Sequence, residues 1–204
     1  MASSDEALLH GELGASCRHL CVDMQRLFAE ETDWKTPWME RVLPRARSLV
    51  AHQPGRTIFT RFVPARHPDE GQGTWKRYYR RWSSMTIEAL GAEMVELVPE
   101  LAAFVPPATV LDKRGYSAWH ETDLHERLRH QAVDTLVVSG GETDVCVLST
   151  VLGAVDRGYR VVIATDALCS SSDETHDASL KVYACRYREQ VETATVDTII
   201  RNWR

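Results

Sequence analysis

This chain has no excess of positive charge. Its 24 lysines and arginines are outnumbered by 29 aspartates and glutamates, for a formal net charge of -5. The basic footprint of a nucleic-acid-binding domain is therefore missing. The densest basic run, KRYYRR at 76–81, reads as a solvated loop or a lid over an anionic substrate. No apolar run approaches the ~20 residues of a membrane-spanning helix. The opening stretch MASSDEALLHGELGAS lacks the basic and apolar regions of a secretory leader. Cysteine is scarce and odd in number: Cys17, Cys21, Cys146, Cys169 and Cys185. Their spacing suggests no disulfide framework, which points to a reducing compartment. Cys17 and Cys21 flank His19, but no second pair follows to complete a metal site. A cytoplasmic, soluble protein is expected, with neither nucleic acid nor membrane as partner.

What is present is a regular alternation. Short Val/Ile/Leu-rich runs at 19–24, 56–62, 108–113, 135–140, 159–167 and 191–196 read as strands. Between them, helical spacing covers 33–53, 122–131, 144–158 and 171–188, and a short helix closes the chain at 197–203. Pro44 is a candidate kink in the first helix, and Thr122 a candidate N-cap. Residues 63–84 read as a long loop, and 1–16 as a loose N-terminal arm. No repeat or linker divides the 204 residues, so 1–204 reads as a single domain. Buried strands alternating with helices predict an α/β fold: a three-layer α/β/α sandwich around a mainly parallel, Rossmann-like sheet.

In such sheets, ligands bind outside the carboxyl ends of the strands. Three reactive side chains fall there: Asp23 after the first strand, Lys113 at the end of the third, and Cys146 just past the fourth. Each alone has a plainer explanation. An Asp at a strand end caps a turn, a Lys there is a surface charge, and a Cys at a helix start is a small core residue. Together on one rim they make a chemical unit. A thiol attacks carbonyl carbon as thiolate, and a helix start and a nearby ammonium both favour that anion. Asp23 can take the thiol proton and return it to a leaving amine. The glycine pair at 140–141 permits a sharp turn that aims backbone N–H groups at one point, although an ordinary Gly-rich turn fits it as well.

The stretches CVDMQRLF (21–28), LDKRGYSAW (111–119), SGGETDVCVLSTVLGAVDRGYRVVIATDA (139–167) and DASLKVYACRY (177–187) resemble the isochorismatase-like cysteine hydrolase superfamily. The pattern is closest to its N-carbamoylsarcosine and ureidoacrylate hydrolase branches. The resemblance implies an Asp–Lys–Cys triad at Asp23, Lys113 and Cys146. It also implies a non-proline cis peptide at Gly141–Glu142 that points the N–H groups of Glu142 and Cys146 at an oxyanion. The isochorismatases proper cleave a vinyl ether and lack the catalytic Cys. This chain has it, so amide or ureide hydrolysis is favoured.

The nicotinamidase branch carries a metal on an Asp-x-His element after the second strand. Here that place reads TRFVPARHPDE, with His67 and Asp69 as the only remnants, so neither metal nor cofactor is expected. Phe28, Trp75, Trp82, Tyr116 and Trp119 are candidates for the pocket wall, though aromatics after strands also serve packing. Arg61 is a candidate for a substrate carboxylate or for an interface ion pair. The resemblance further implies a homodimer or homotetramer, for which a helix face with Val151 and Val155 is one candidate. A small amide or carbamoyl compound is the expected substrate. A nicotinamidase-like amidase and a catalytically silent binding subunit are the competing readings.

Overall fold

Six strands pair in parallel into one sheet: β1 Cys17–Val22, β2 Thr57–Phe62, β3 Thr109–Lys113, β4 Thr135–Gly141, β5 Arg160–Cys169 and β6 Val191–Ala194, in the order β3-β2-β1-β4-β5-β6. Both faces are covered, which is why the strands read as continuous apolar runs without alternation. The computed structural model describes residues 7–204. The helices are α1 Arg26–Ala29, α2 Met39–His52, α3 Thr74–Arg81, α4 Ile87–Leu90, α5 Pro99–Ala102, α6 Leu124–His130, α7 Leu148–Asp156, α8 Asp173–Arg186 and α9 Val196–Arg201. One core holds Leu49 and Val50 of α2 with Ile199 of α9. The other holds Leu124 and Leu128 of α6, Val151 of α7 and Tyr183 of α8. The expected three-layer α/β/α sandwich is borne out, and among the described residues no helix is long and apolar enough to cross a membrane.

Strand order reverses between β1 and β4. Chain direction out of β1 runs to β2 and β3, then returns to β4 on the other side. A crevice opens at the carboxyl ends of the two strands that flank such a switch point. Gly140 holds this junction together. Its φ is +105°, and a Cβ there would lie 2.0 Å from the backbone oxygen of Val22. Only glycine lets β4 approach β1 this closely.

Five expectations are corrected. The helix expected from residue 33 starts at Met39, because Trp34, Lys35 and Thr36 are held in turns by backbone and side-chain hydrogen bonds. Pro44 lies inside α2 and does not break it. The loop expected over 63–84 contains α3, whose aromatic face packs inward, with Tyr79 buried. The arm is not loose from residue 7 onward: Leu8 and Leu13 are buried, and Leu13 exchanges backbone hydrogen bonds with Asn202 and Arg204. Residues 1–6 of that arm lie outside the described residues. Thr122 sits one residue before the N-cap, Asp123, and accepts a hydrogen bond from the backbone N–H of Leu124.

His19 in β1 is fully buried, and burial lowers its pKa from 6.5 to about 3. The Thr57 hydroxyl donates to Gln53 O, so it accepts from His19 Nδ1, and the Ser139 hydroxyl is left to donate to Nε2. The imidazole is thereby held neutral. Below pH 6.5 the unfolded chain binds a proton that the folded chain refuses, so this residue's contribution to stability is lost as pH falls from 6.5 towards 3. His19→Gln is expected to flatten that loss by about 1.4 kcal/mol per pH unit. Urea unfolding at pH 7 and pH 4.5 reads the effect, and an identical pH dependence in the two proteins would refute it.

Candidate active site

The crevice collects the three strand-end residues. Asp23 follows β1 in the left-handed region, with φ +50°, a conformation that Asp tolerates better than most residues. Its backbone N–H donates to Thr60 in β2, and Thr60 Oγ1 donates to Asp23 Oδ1 at 2.5 Å. Gln25 ties the same end of β1 to β2: its amide nitrogen donates to Phe62 O and Val95 O, and its oxygen accepts from Phe62 N. Lys113, the last residue of β3, reaches across β2. Its Nζ lies 2.7 Å from Asp23 Oδ2 and donates to Gly115 O at 3.1 Å. The Phe62 ring centroid is 5.2 Å from that ammonium. Cys146 sits in a π-type turn, Thr143–Val147, between β4 and α7, and its thiol is within reach of both Asp23 and Lys113. The peptide Gly141–Glu142 is cis.

Both charges of the Asp23–Lys113 pair are essentially out of water, with side-chain exposures of 1% and 0%. Burial pushes the lysine's pKa down, but the Asp23 carboxylate beside it pulls the other way, and Lys113 is held above its ordinary value and stays cationic. The Cys146 thiol is pushed up by burial, opposed by Lys113. It therefore rests as S–H at neutral pH and needs a base to become a nucleophile. Asp23 Oδ2 offers one. Lys113 is close, but no donor among the described residues is aligned to hydrogen-bond that oxygen, so it keeps acceptor capacity for a proton.

A cavity of about 330 Å³ opens above Cys146. Its walls are Phe28, Trp34, Phe62, Tyr78, Trp82 and Tyr116, with Glu142 and Val145 beside the thiol and Asp33, Lys35 and Ser171 also on the lining. Of the expected wall residues, Phe28, Trp82 and Tyr116 are here. Trp34 and Tyr78 were not anticipated, yet Trp34 is the hub: its ring lies 5.7–6.5 Å from those of Phe28, Phe62, Tyr78 and Trp82. Glu142 Oε1 accepts from Ser171 N, which fixes the segment after β5 against the turn.

Three candidates lie elsewhere. Arg61 makes a bidentate pair with Asp112 and donates one further hydrogen bond to Glu96, all within 3.0 Å, because it is paired in register with Asp112 across β2 and β3. Trp119 is buried against α7. Its Nε1 donates to Thr150 O, its ring stacks on Tyr159, and its indole fills the space that a side chain at Gly153 would need. Trp75 lines neighbouring clefts and stacks on Tyr79. On α7, Val151 is fully buried in the core and so presents nothing to another subunit.

Comparison with known proteins places this geometry. Residues 17–195 match the isochorismatase domain family. The chain belongs to the isochorismatase family. It is 33% identical over 141 residues to the uncharacterized isochorismatase family protein YwoC of Bacillus subtilis, covering 69% of this chain and 74% of that one. It is 31% identical over 100 residues to nicotinamidase 3 of Arabidopsis thaliana, about half of each chain. The crystal structure of N-carbamoylsarcosine amidase from Thermoplasma acidophilum has the same fold, with a TM-score of 0.70 at 24% identity over 89% of this chain and 96% of that one. Isochorismatase-family membership makes this chain a hydrolase of the isochorismatase-like cysteine class.

The metal of the nicotinamidase branch does not fit the residues at the end of β2. The side chain that continues β2 into the crevice is Phe62, and its ring faces the Lys113 ammonium. Asp69 is exposed and is occupied by Lys76 and Arg80. Among the described residues no three His, Cys, Asp or Glu side chains converge.

Proposed function

We propose that this isochorismatase-family amidohydrolase cleaves the C–N bond of a small amide or carbamoyl compound through a thioester on Cys146. The observation that carries the reading is Cys146 on the lining of an aromatic cavity, with the buried Asp23–Lys113 pair close enough to act on its thiol. Asp23 takes the proton from the Cys146 thiol, and Lys113 stabilises the thiolate that remains. The sulfur adds to the substrate carbonyl, and the new oxyanion faces the N–H groups of Glu142 and Cys146. Collapse breaks the C–N bond as protonated Asp23 gives its proton to the departing nitrogen. Water then adds to the thioester with Asp23 again as base. The acid leaves, and the thiol is reprotonated. No step passes through a metal.

The aromatic walls would also suit a flat heteroaromatic carboxamide, which keeps a nicotinamidase-like reading in play. A screen for ammonia release over ureides, N-carbamoyl amino acids, small carboxamides and nicotinamide, run with and without chelator, separates the two. Turnover of a carbamoyl or carboxamide substrate that survives chelation is expected. Turnover of nicotinamide alone, abolished by chelator, would overturn the proposal.

A further inference from the structure

Helix α3 carries two pairs of cations at i,i+4 spacing, and the protein treats them differently. Lys76 and Arg80 share Asp69, at 3.6 and 3.1 Å. Arg77 and Arg81 have no carboxylate partner among the described residues. Like charges at this spacing destabilise a helix unless something neutralises them. Both arginines are exposed, and both line a second cleft of about 570 Å³, together with Thr74, Trp75, Tyr78 and Tyr116. Tyr78 and Tyr116 also wall the cavity above Cys146, so the two spaces meet at this tyrosine pair. The Arg81 guanidinium lies over the Trp82 ring at 5.2 Å, a stacking that leaves its in-plane N–H donors free.

The two ends of the site differ in sign. The cavity above Cys146 is lined by the carboxylates of Glu142 and, at its exposed edge, Asp33, and the buried Lys113 ammonium, which is not on that lining, is already paired with Asp23. Lys35, which is on the lining, is paired with Glu31. A substrate with an anionic group is repelled from the inner end and attracted to the outer one.

We propose that Arg77 and Arg81 form an anion-recognition subsite that binds a carboxylate at the far end of the substrate, with the scissile amide directed inward to Cys146. The inference rests on the reading of Cys146 as the nucleophile, and it makes the substrate an ω-carboxylated amide or carbamoyl compound. The carboxylate is held at the mouth by bidentate N–H donors, and the neutral amide enters the aromatic cavity.

Two maleimides that differ only in charge test this: N-ethylmaleimide and 3-maleimidopropanoate. They are reacted with Cys185→Ser protein, which removes the exposed thiol, and labelling of Cys146 is followed by peptide mass. In an Arg77→Gln/Arg81→Gln variant, the anionic reagent is expected to slow about tenfold while the neutral one changes less than about twofold, and high salt is expected to reproduce the loss. An unchanged ratio of the two rates would overturn the subsite. A second measurement does not need the thiol: calorimetric binding of succinamate and butanamide to Cys146→Ala protein. Tighter succinamate binding that is lost in the double arginine variant supports the subsite, and succinamate binding no tighter than butanamide overturns it. If Cys146→Ala protein retains turnover while succinamate binding still depends on the arginines, the nucleophile reading fails and the subsite stands.

Discussion

Cys146→Ala is expected to abolish turnover, with a loss of at least about 10⁴-fold in kcat, while the protein stays folded. Removing the nucleophile of a covalent mechanism removes the intermediate itself, and such losses reach about 10⁶ in other hydrolases. Cys146→Ser is expected to fare little better. Burial that raises a thiol's pKa acts on a hydroxyl that is far less acidic to begin with, and Asp23 is a weak base for it. Mass spectrometry supplies the positive counterpart. A substrate whose thioester hydrolyses slowly should leave an acyl group on the peptide carrying Cys146 in the wild-type protein, and none in the Asp23→Asn protein. Turnover retained by Cys146→Ala, or an adduct that maps to Cys21 or Cys169, would sink the thioester mechanism. Both of those thiols are fully buried and are held protonated by their burial.

The sheet and the gathering of Asp23, Lys113 and Cys146 at its rim were legible in the sequence because both follow from local signals. Strand-length apolar runs locate the carboxyl ends, and a reactive residue one or two positions beyond such an end must lie on the rim of a parallel sheet. The pocket was less legible because its walls depend on pairings between distant segments. Arg61 reads as a substrate ligand until β2 is set in register with β3, which puts Asp112 directly beside it. Trp119 reads as a lining residue until α7 brings Gly153 against its indole. Trp34 and Tyr78 were missed for a related reason. Trp34 lies in what reads as the first turn of a helix, but the helix starts five residues later at Met39. Tyr78 lies in a stretch whose basic residues obscure the short helix α3, and that helix sets its rings against Trp34, Phe62 and Tyr116 from distant segments. The Gln25 amide had a signal in VDMQ, but its partners, Phe62 and Val95, are contributed from far along the chain.

Breaking the Asp23–Lys113 pair is expected to cost stability and activity together, and repairing only one of them separates the two roles. Both side chains are at most 1% exposed at a separation of 2.7 Å. Lys113→Met leaves the Asp23 carboxylate buried without its cation, with only Thr60 Oγ1 donating to it. Asp23→Asn leaves the ammonium with Gly115 O and the Phe62 ring. Each single substitution is expected to lower unfolding free energy by about 3–5 kcal/mol, the usual penalty for stranding one partner of a buried ion pair. The double variant Asp23→Asn/Lys113→Met removes both charges, so the stranded-charge penalty disappears. Its stability should return to within about 1–2 kcal/mol of the wild type, with a strongly positive coupling in the mutant cycle. Activity should not return, because the base for the Cys146 proton and the cation for the thiolate are both gone. Urea unfolding of the four proteins, set beside their turnover of the substrate found by ammonia release, reads the two quantities separately. A double variant that regained turnover with its stability would make the pair a structural support only, and the proton would have to leave Cys146 by another route.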